Sequence, residues 1–508
     1  MRLTAVRIKN FRGYRDEVTV TFDDITAFVG KNDIGKSSVL EALDIFFNDG
    51  KGAIKLDKDD INKYAAAAGN TTIEISACFA ELPESVVIDA TYSTTLQQEY
   101  LLNADGQLEI VKKYPNAGVA KVFVRAIHPT NPHCCDLLQK TNRDLRTIID
   151  DGNIECNDRS INAVMRSAIW SEYVDNLELA PVEIDITKGD AKSIWGKLST
   201  ILPVYSLFQS DRKNSDSDNE IQDPLKEAVK QILSSDDLQQ QLAAIAEEVT
   251  QKLQEVSTRT LEKLREMAPD VADSLNPVIP AASALKWPDV FKGVSITGDN
   301  EIPINKRGSG VRRLVLLNFF RAEAERRMEA VPGRAVIYAI EEPETSQHTN
   351  NQKMLIKALI DLAAQPHTQV LITTHSSQVV KALGFDAIRI LTSDDGIRGI
   401  GETNAQCLPT LSYNEVNYIA FHDVTEEYHN ELYGYIEANR QMTAYESDKP
   451  KVSYIEERNG RRTQKQYTMT RYIRHQIHHP ENACNVHFSV EQLEQSIEAM
   501  RQFLLDLN

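Results

Sequence analysis

The chain has 508 residues, a net charge of −18, 42% apolar residues and 26% charged residues. At about 100–200 residues per domain, this length predicts roughly three domains with cores of normal size. The acidic balance argues against general binding to a nucleic-acid backbone, which requires clustered Lys and Arg, but it allows a local basic patch.

Targeting signals are not evident in the sequence. No apolar run approaches the ~20 residues of a membrane helix, and the first residues lack the pattern of a signal peptide. The six cysteines show no CxxC spacing, so we interpret them as reduced thiols. These patterns predict a cytoplasmic protein without membrane contact.

The first predicted domain, residues 1–95, begins with strands. Val18, Val20 and Phe22 alternate with polar residues, as in a half-buried strand. A short apolar run at 25–29 then leads into a glycine, and residues 37–47 have the apolar spacing of a helix. This order of strand, loop and helix is the context that a phosphate loop requires.

The loop itself, residues 30–37, fits the pattern G-x-x-x-x-G-K-[ST] in full. Its glycines allow the backbone N–H groups to point at phosphates, the lysine reaches the β and γ oxygens, and the hydroxyl ligates Mg²⁺. The following helix adds the positive end of its dipole. A chance match in a glycine-containing turn is disfavoured by the strand and helix on either side. The residues predicted to bind the nucleotide here are Gly30, Asn32, Gly35, Lys36, Ser37 and Ser38, with Lys36 also catalytic and Ser37 also a metal ligand.

The second predicted domain, residues 96–295, is interpreted as a helical insertion. Apolar residues recur at spacings of three and four from Leu238 to Val256, which predicts an amphipathic helix over about 236–266, roughly 45 Å long. A short coiled-coil seam is one interpretation. An ordinary helical insertion that packs on itself is the other, and we favour it.

The third predicted domain, residues 296–403, returns to α/β character. Apolar runs at 336–340 and 370–374 suit buried parallel strands. The first run ends in Glu341, predicted to hold the metal, and Glu342, predicted to orient the attacking water. The second run ends at His375, a candidate contact to the γ-phosphate. A strand entering an acidic loop and a structural histidine are the plainer alternatives.

A glycine-rich turn at 307–314 precedes a further apolar helix. Its residues Ser309 and Gly310 expose N–H groups suited to a phosphate, although a simple N-cap turn has the same pattern.

Taken in this order, the four pieces resemble ABC ATPases of the RecF, SMC and OLD kind. Residues 30–37 are similar to Walker A, 340–344 to Walker B and 308–313 to the ABC signature, and His375 to the switch histidine. The resemblance implies an α/β fold: a split ABC-type P-loop ATPase head with a helical insertion and a C-terminal, mostly helical domain. It also implies ATP and Mg²⁺ as cofactors. In that family two heads sandwich ATP, so Ser309 would act on a second copy in a head-to-head dimer or larger homo-oligomer.

The fourth predicted domain, residues 404–508, contains a basic segment at 449–474. Eight Lys and Arg residues in it face only two acids. Such a patch could attract a nucleic-acid backbone, and a solvated hairpin around Asn459 and Gly460 explains it equally well.

The end of this basic segment resembles the R-x4-6-H motif of HEPN ribonucleases through Arg474 and His479. This resemblance implies metal-free RNA cleavage by those two residues. A structural dimer contact is the plainer alternative, and metal binding by neighbouring histidines is a third. The residues after His375 lack the acidic pattern of a Toprim nuclease.

As a whole, the layout resembles ATPase subunits of bacterial anti-phage systems such as Septu and PARIS. The resemblance implies an ATP-binding and hydrolysing sensor or regulatory subunit that controls a partner nuclease. Two other hypotheses remain open: a self-contained ATP-gated ribonuclease, and a DNA-repair or SMC-like clamp, which the short insertion disfavours.

Overall fold

The structure is a computed structural model. It describes residues 1–49, 52–89, 92–189, 191–209, 334–345, 349–394, 397–403, 405–458 and 461–507, with scattered residues between 241 and 258. Residues 1–210 and 324–508 form one compact unit, and residues 211–323 form a second. The scattered residues are helical, but most of the predicted seam at 238–256 and the whole glycine-rich turn at 307–314 lie outside the described residues.

The described strands and helices alternate along the first unit. The strands are β1 (Arg2–Lys9), β2 (Val18–Thr21), β3 (Ile25–Val29), β4 (Thr72–Ala80), β5 (Val86–Asp89), β6 (Tyr92–Thr94), β7 (Leu108–Pro115), β8 (Lys121–Pro129), β9 (Leu179–Asp185), β10 (Val204–Phe208), β11 (Val336–Glu341), β12 (Thr368–Thr374), β13 (Ile388–Asp394), β14 (Ile397–Glu402), β15 (Lys451–Arg458) and β16 (Arg461–Thr468). The helices with described bounds are α1 (Lys36–Asn48), α2 (Lys63–Ala67), α3 (Asn142–Gly152), α4 (Asn162–Glu172), α5 (Ala191–Ile201), α6 (Thr349–Ala363), α7 (Ser377–Ala382), α8 (Tyr413–Phe421), α9 (Glu426–Ala438), α10 (Met442–Tyr445), α11 (Met469–His478) and α12 (Val490–Leu507).

One six-stranded sheet is antiparallel throughout, with the order β2-β1-β4-β7-β8-β9. Charged side chains from neighbouring strands pair on one of its faces. The buried carboxylate of Glu109 accepts hydrogen bonds from Arg7 and, at 2.7 Å, from Arg125. Arg125 also donates to two further carboxylates on flanking strands, at 2.9 Å each. These cross-strand pairs fix the register of the sheet.

The structure differs here from the expectation of a helical insertion over residues 96–295. Three strands of the antiparallel sheet, β7, β8 and β9, lie within that range, as does β10. In β8 buried and half-exposed residues alternate, which is the period of a strand with one face in the core. Because its outward positions carry charged residues that pair with other strands, the local sequence is polar enough to resemble a loop. The strands become recognisable only through their partners.

The second six-stranded sheet has the order β10-β11-β12-β3-β13-β14 and is parallel except for β14. Glu341 pairs in register with Thr373, and Thr374 pairs with Val29. The carboxyl ends of β11, β12 and β3 therefore lie side by side at one edge of the sheet. The two sheets and their helices confirm the predicted α/β class.

Helix α1, which follows the phosphate loop, is fastened to both sheets. The buried ammonium of Lys112, on β7, donates to the carbonyl of Phe46 at 2.6 Å and to the carboxylate of Asp49, at the C-terminal end of the helix. From the parallel sheet, the hydroxyl of Tyr205 donates to the carbonyl of Leu40 at 2.6 Å. A cation at a helix C-terminus is electrostatically favourable. These contacts hold the helix, and with it the loop at its start.

The C-terminal part of the chain is mostly helical and also contains a β-hairpin. Helices α8, α9, α11 and α12 contribute to a separate apolar cluster whose fully buried members include Leu432, Ile473 and Met500. Strands β15 and β16 pair with each other, so the hairpin alternative for the basic segment describes the structure. Among the described residues, no helix is both long enough and apolar enough to cross a membrane.

Candidate nucleotide-binding site

The loop between β3 and α1 has the backbone that a phosphate cradle needs. Gly30 has φ of 151° and Gly35 has φ of 109°, conformations that residues with a Cβ rarely adopt. A Cβ on Gly30 would also come within 3.1 Å of the carbonyl oxygen of Leu391. Helix α1 begins at Lys36 without a side-chain cap, so its first N–H groups remain available for an anionic ligand.

Lys36 is held inside this loop. The residue is 6% exposed, and its Nζ donates to the carbonyls of Gly30 at 2.7 Å and Lys31 at 2.9 Å. Burial lowers the pKa of Lys36, while the carboxylates of Glu342 and Glu344 act in the opposite direction. The acidic strand end is therefore close enough to the phosphate loop to act on its lysine, although some 300 residues separate them in the sequence.

The carboxylate of Glu342 has defined partners at the end of β11. Its Oε1 lies 3.3 Å from Nδ1 of His375, and its Oε2 accepts from the hydroxyl of Thr345 at 3.2 Å. Its N–H donates to the carbonyl of Thr373 at 3.0 Å, on the neighbouring strand. The backbone at Glu342 has φ of 41°, a left-handed conformation that is costly for a residue with a side chain and that occurs often at functional sites. The turn thus directs Glu342 away from the strand.

A third acid of this segment, Glu344, was missed by the sequence reasoning. It is 2% exposed, and its Oε1 accepts from the hydroxyl of Thr374 at 2.6 Å and from the N–H of His375 at 3.3 Å. Within the described part of the chain, its buried Oε2 has no hydrogen-bond partner. The signal was present in the sequence, because Glu344 is the last acid of the Glu-Glu-Pro-Glu run.

The structure brings most of the predicted site residues to a single edge of the parallel sheet. Glu341 is buried at the end of β11, and Ser37 is half-buried in the first turn of α1. Ser38 is buried one residue further along, whereas Asn32 is exposed on the loop. The predicted contacts Ser309 and Gly310 lie outside the described residues.

The residues at this edge fit a magnesium–nucleotide complex. A buried ammonium, uncapped helix N–H groups and a hydroxyl suit the phosphates. The buried, unpaired Oε2 of Glu344 and the carboxylate of Glu341 are oxygen ligands of the kind that Mg²⁺ accepts directly or through water.

The two candidate ribonuclease residues lie near the end of α11. Arg474 donates to the side-chain oxygen of Asn430, and its guanidinium lies 5.2 Å from the ring centre of Tyr433. His479 follows the helix, is half-exposed and pairs with Glu481 through its Nδ1 at 3.1 Å. Burial and the charges of Arg474 and His479 lower the pKa of His478, so these groups are near one another. Both side chains also make contacts that suit a structural role.

A loop of this geometry, between a strand and a helix at the carboxyl edge of a parallel sheet, is the arrangement that P-loop nucleotide-binding proteins use. The sequence agrees with this class, since residues 1–380 match the family described as AAA ATPase domain. The chain belongs to that family and is an ATPase of the AAA type. No curated protein matches it.

The structure is also similar to solved head domains of SMC proteins. The SMC head domain from Thermotoga maritima has 12% identity and a TM-score of 0.33, covering 80% of this chain and 100% of that one. An Smc head domain from Pyrococcus furiosus, bound to the C-terminal domain of ScpA, has 10% identity and a TM-score of 0.37, covering 82% and 97%. A head domain from Pyrococcus yayanosii has 12% identity and a TM-score of 0.33, covering 79% and 97%. The family assignment rests on the sequence match and not on these similarities.

Proposed function

We propose that the chain binds Mg²⁺-ATP at the edge formed by β3, β11 and β12 and hydrolyses it. Lys36 and the N–H groups of α1 bind the phosphates, Ser37 and Glu341 hold the metal, and Glu342 orients the attacking water, assisted by His375. When bound, Mg²⁺ neutralises negative charge on the phosphates. The observation that carries this proposal is the electrostatic effect of the carboxylate of Glu342 on the buried ammonium of Lys36.

The contacts of Glu342 suit a general base. Its two oxygens are placed by different groups, His375 on β12 and Thr345 on the following turn. The side chain is 27% exposed, so a water molecule can reach it. A carboxylate placed in this way accepts a proton from water and directs its oxygen toward the phosphate loop.

Nucleotide binding is tested with Lys36→Ala, measured by isothermal titration and by phosphate release. We expect this change to abolish ATP binding, because it removes the buried cation of the loop. Lys31→Ala is the matched control: Lys31 is exposed, and its described contact is made by its main-chain carbonyl. A Lys36→Ala protein that binds and hydrolyses ATP like the wild type would rule out the proposed site.

We further propose that ATP joins two copies of the chain head to head, with Ser309 of one copy capping the phosphate of the other. The resemblance to ABC-type ATPases supports this step. Mass measurements with and without ATP test it, using a hydrolysis-deficient variant to keep the nucleotide intact. An ATP-dependent dimer or larger oligomer is expected, and a monomer that binds ATP at every concentration tested would contradict it.

At the level of the cell, we propose that the ATPase is the sensor or regulatory subunit of an anti-phage defence complex and controls a partner nuclease. The complete Walker A and Walker B pieces and the resemblance to Septu and PARIS ATPase subunits support this role. Phage challenge of cells carrying the chain with and without its neighbouring gene tests it. Protection should require both proteins and an intact Lys36, and full protection by the chain alone would refute the role.

A self-contained ribonuclease is the second candidate function. It is favoured by the proximity of Arg474 and His479, which both act on His478. In this case Arg474→Ala and His479→Ala abolish RNA cleavage while ATP hydrolysis survives. Arg440→Ala, a change of an exposed arginine beyond the end of α9, is the control. Unchanged cleavage in both test variants would remove this candidate.

The β15–β16 hairpin is the proposed contact for nucleic acid. All six residues at 461–466 on β16 are exposed, including the cations Arg461 and Lys465. Replacing Arg461, Lys465 and Lys451 with alanine should weaken binding and reduce the dependence of affinity on salt. An affinity and salt slope equal to those of the wild type would exclude the hairpin as the contact.

A further inference from the structure

Arg398 lies against the phosphate loop, although the sequence gave no reason to connect them. It stands near the start of β14, paired in register with Ser393 on β13. Strand β13 runs parallel to β3, with Ile390 beside Val29, so the β13–β14 turn lies at the same edge as the loop. The Nη2 of Arg398 donates to the carbonyl of Asp33, within the loop, at 3.0 Å.

Two glycines make the space in which this guanidinium lies. A Cβ on Gly13 would come within 2.1 Å of Cζ of Arg398, and a Cβ on Gly35 within 2.7 Å of its Nη1. Gly35 belongs to the phosphate-loop pattern, but Gly13 does not, and its backbone is outside the left-handed region. The space for the guanidinium is therefore what the structure shows Gly13 to provide.

The charge of Arg398 has no described counterion. A guanidinium carries five N–H donors, and its described hydrogen bond uses one of them. Its Cζ lies 5.9 Å from the ring centre of Tyr14, whose hydroxyl donates to the carbonyl of Gly35 at 3.0 Å. Among the side chains that the structure describes, no carboxylate is within ion-pair distance of Arg398. An unneutralised cation beside a phosphate loop is suited to an anionic ligand.

We propose that Arg398 is a second cation of the nucleotide site and binds the phosphate chain of a nucleoside di- or triphosphate, together with Lys36. This step rests on the proposed function, because it deepens the description of the same site. The guanidinium bonds to the loop carbonyl and, with its remaining N–H groups, to the phosphates. The β13–β14 hairpin is thereby linked to the bound nucleotide.

The proposal is tested by the affinities of Arg398→Ala and Arg398→Lys for ATP, ADP and AMP. Loss of charge-assisted hydrogen bonds should weaken ATP and ADP binding roughly 10–100-fold. AMP, with a single phosphate, should be affected much less, and the lysine variant should recover part of the ATP affinity. Arg15→Ala changes an exposed arginine on the neighbouring turn and should leave all three affinities within about twofold.

Gly13→Ala provides an independent test, because it leaves Arg398 in the sequence but fills its space. The flexible end of the arginine can move aside, so this variant should fold and reproduce the loss of ATP affinity. Adding it to Arg398→Ala should cause no further loss.

The outcomes separate this proposal from the proposed function. If Arg398→Ala binds ATP like the wild type while Lys36→Ala does not, Arg398 is not a nucleotide ligand and the site stands. An equal loss for AMP and ATP, with a lower melting temperature of the nucleotide-free protein, would show that Arg398 only supports the loop and would overturn the proposal. A wild-type protein that binds no ATP would instead refute the proposed function.

Discussion

Replacing Glu342 with glutamine separates nucleotide binding from hydrolysis in this site. Glutamine has the same shape and retains oxygen and nitrogen atoms that can contact His375 and Thr345, which lie 3.3 Å and 3.2 Å from the carboxylate. The substitution removes the basic group and one negative charge. A general base contributes roughly 10²–10⁴-fold to a rate, which corresponds to about 3–5 kcal/mol of activation free energy. We therefore expect kcat for ATP hydrolysis to fall by about that factor.

The affinity for ATP should not fall in this variant. The carboxylate of Glu342 repels the phosphates, so its removal should leave the dissociation constant unchanged or lower it by up to about tenfold. Single-turnover phosphate release and titration with ATP measure the two effects separately. Glu402→Gln, a change of an exposed carboxylate on β14, is the matched control. A kcat within threefold of the wild type, with a large loss in Glu344→Gln instead, would show that the base is the other acid.

Three further changes test the surroundings of the site and the sheets. Changing His375 to alanine removes one of the groups that place the proposed base, so ATP hydrolysis should fall roughly 10–100-fold while ATP binding persists. Burial alone would raise the pKa of Glu109, but its hydrogen bonds, including that of Arg125, hold the pKa below the ordinary value. Glu109→Gln should therefore lower the unfolding free energy by roughly 1.5–3 kcal/mol at pH 7; this difference should shrink as pH falls through the lowered pKa, and a constant difference down to pH 3 would contradict the cause. Glu99 and Arg166 form a pair with both side chains 2% exposed, so Glu99→Ala should cost roughly 3–5 kcal/mol in urea unfolding, and the double change of both residues to methionine should recover most of it.

The nucleotide half of the fold could be predicted because its signals are local. The apolar runs that form β3, β11 and β12 are buried on both faces, so each is visible as a continuous stretch. The phosphate loop has a fixed pattern of glycines, lysine and hydroxyl, and the carboxylates at 341 and 342 directly follow their strand. The position of every one of these groups depends mainly on its own segment.

The remaining parts depend on contacts between distant segments. The strand β8 carries Arg125 at an outward position, where its charge becomes favourable only beside carboxylates from other strands. Arg398 is an ordinary surface residue in the sequence, and only the pairing of β13 with β3 brings it to the loop. The role of Gly13 is hidden for the same reason. Patterns in a single sequence do not contain these pairings.

The place at which residues 211–323 interrupt the first unit has a mechanical consequence. Strands β10 and β11 are neighbours in the parallel sheet, so the chain leaves the unit beyond Phe208 at the nucleotide edge and returns to Val336 at the opposite edge. At the departure point, the side chain of Gln209 donates to the carboxylate of Glu41, on α1, at 3.2 Å. A pull on the departing segment is therefore transmitted first to the helix that carries Lys36. Strain in the inserted segment and occupancy of the phosphate loop are thus coupled through a single side-chain contact.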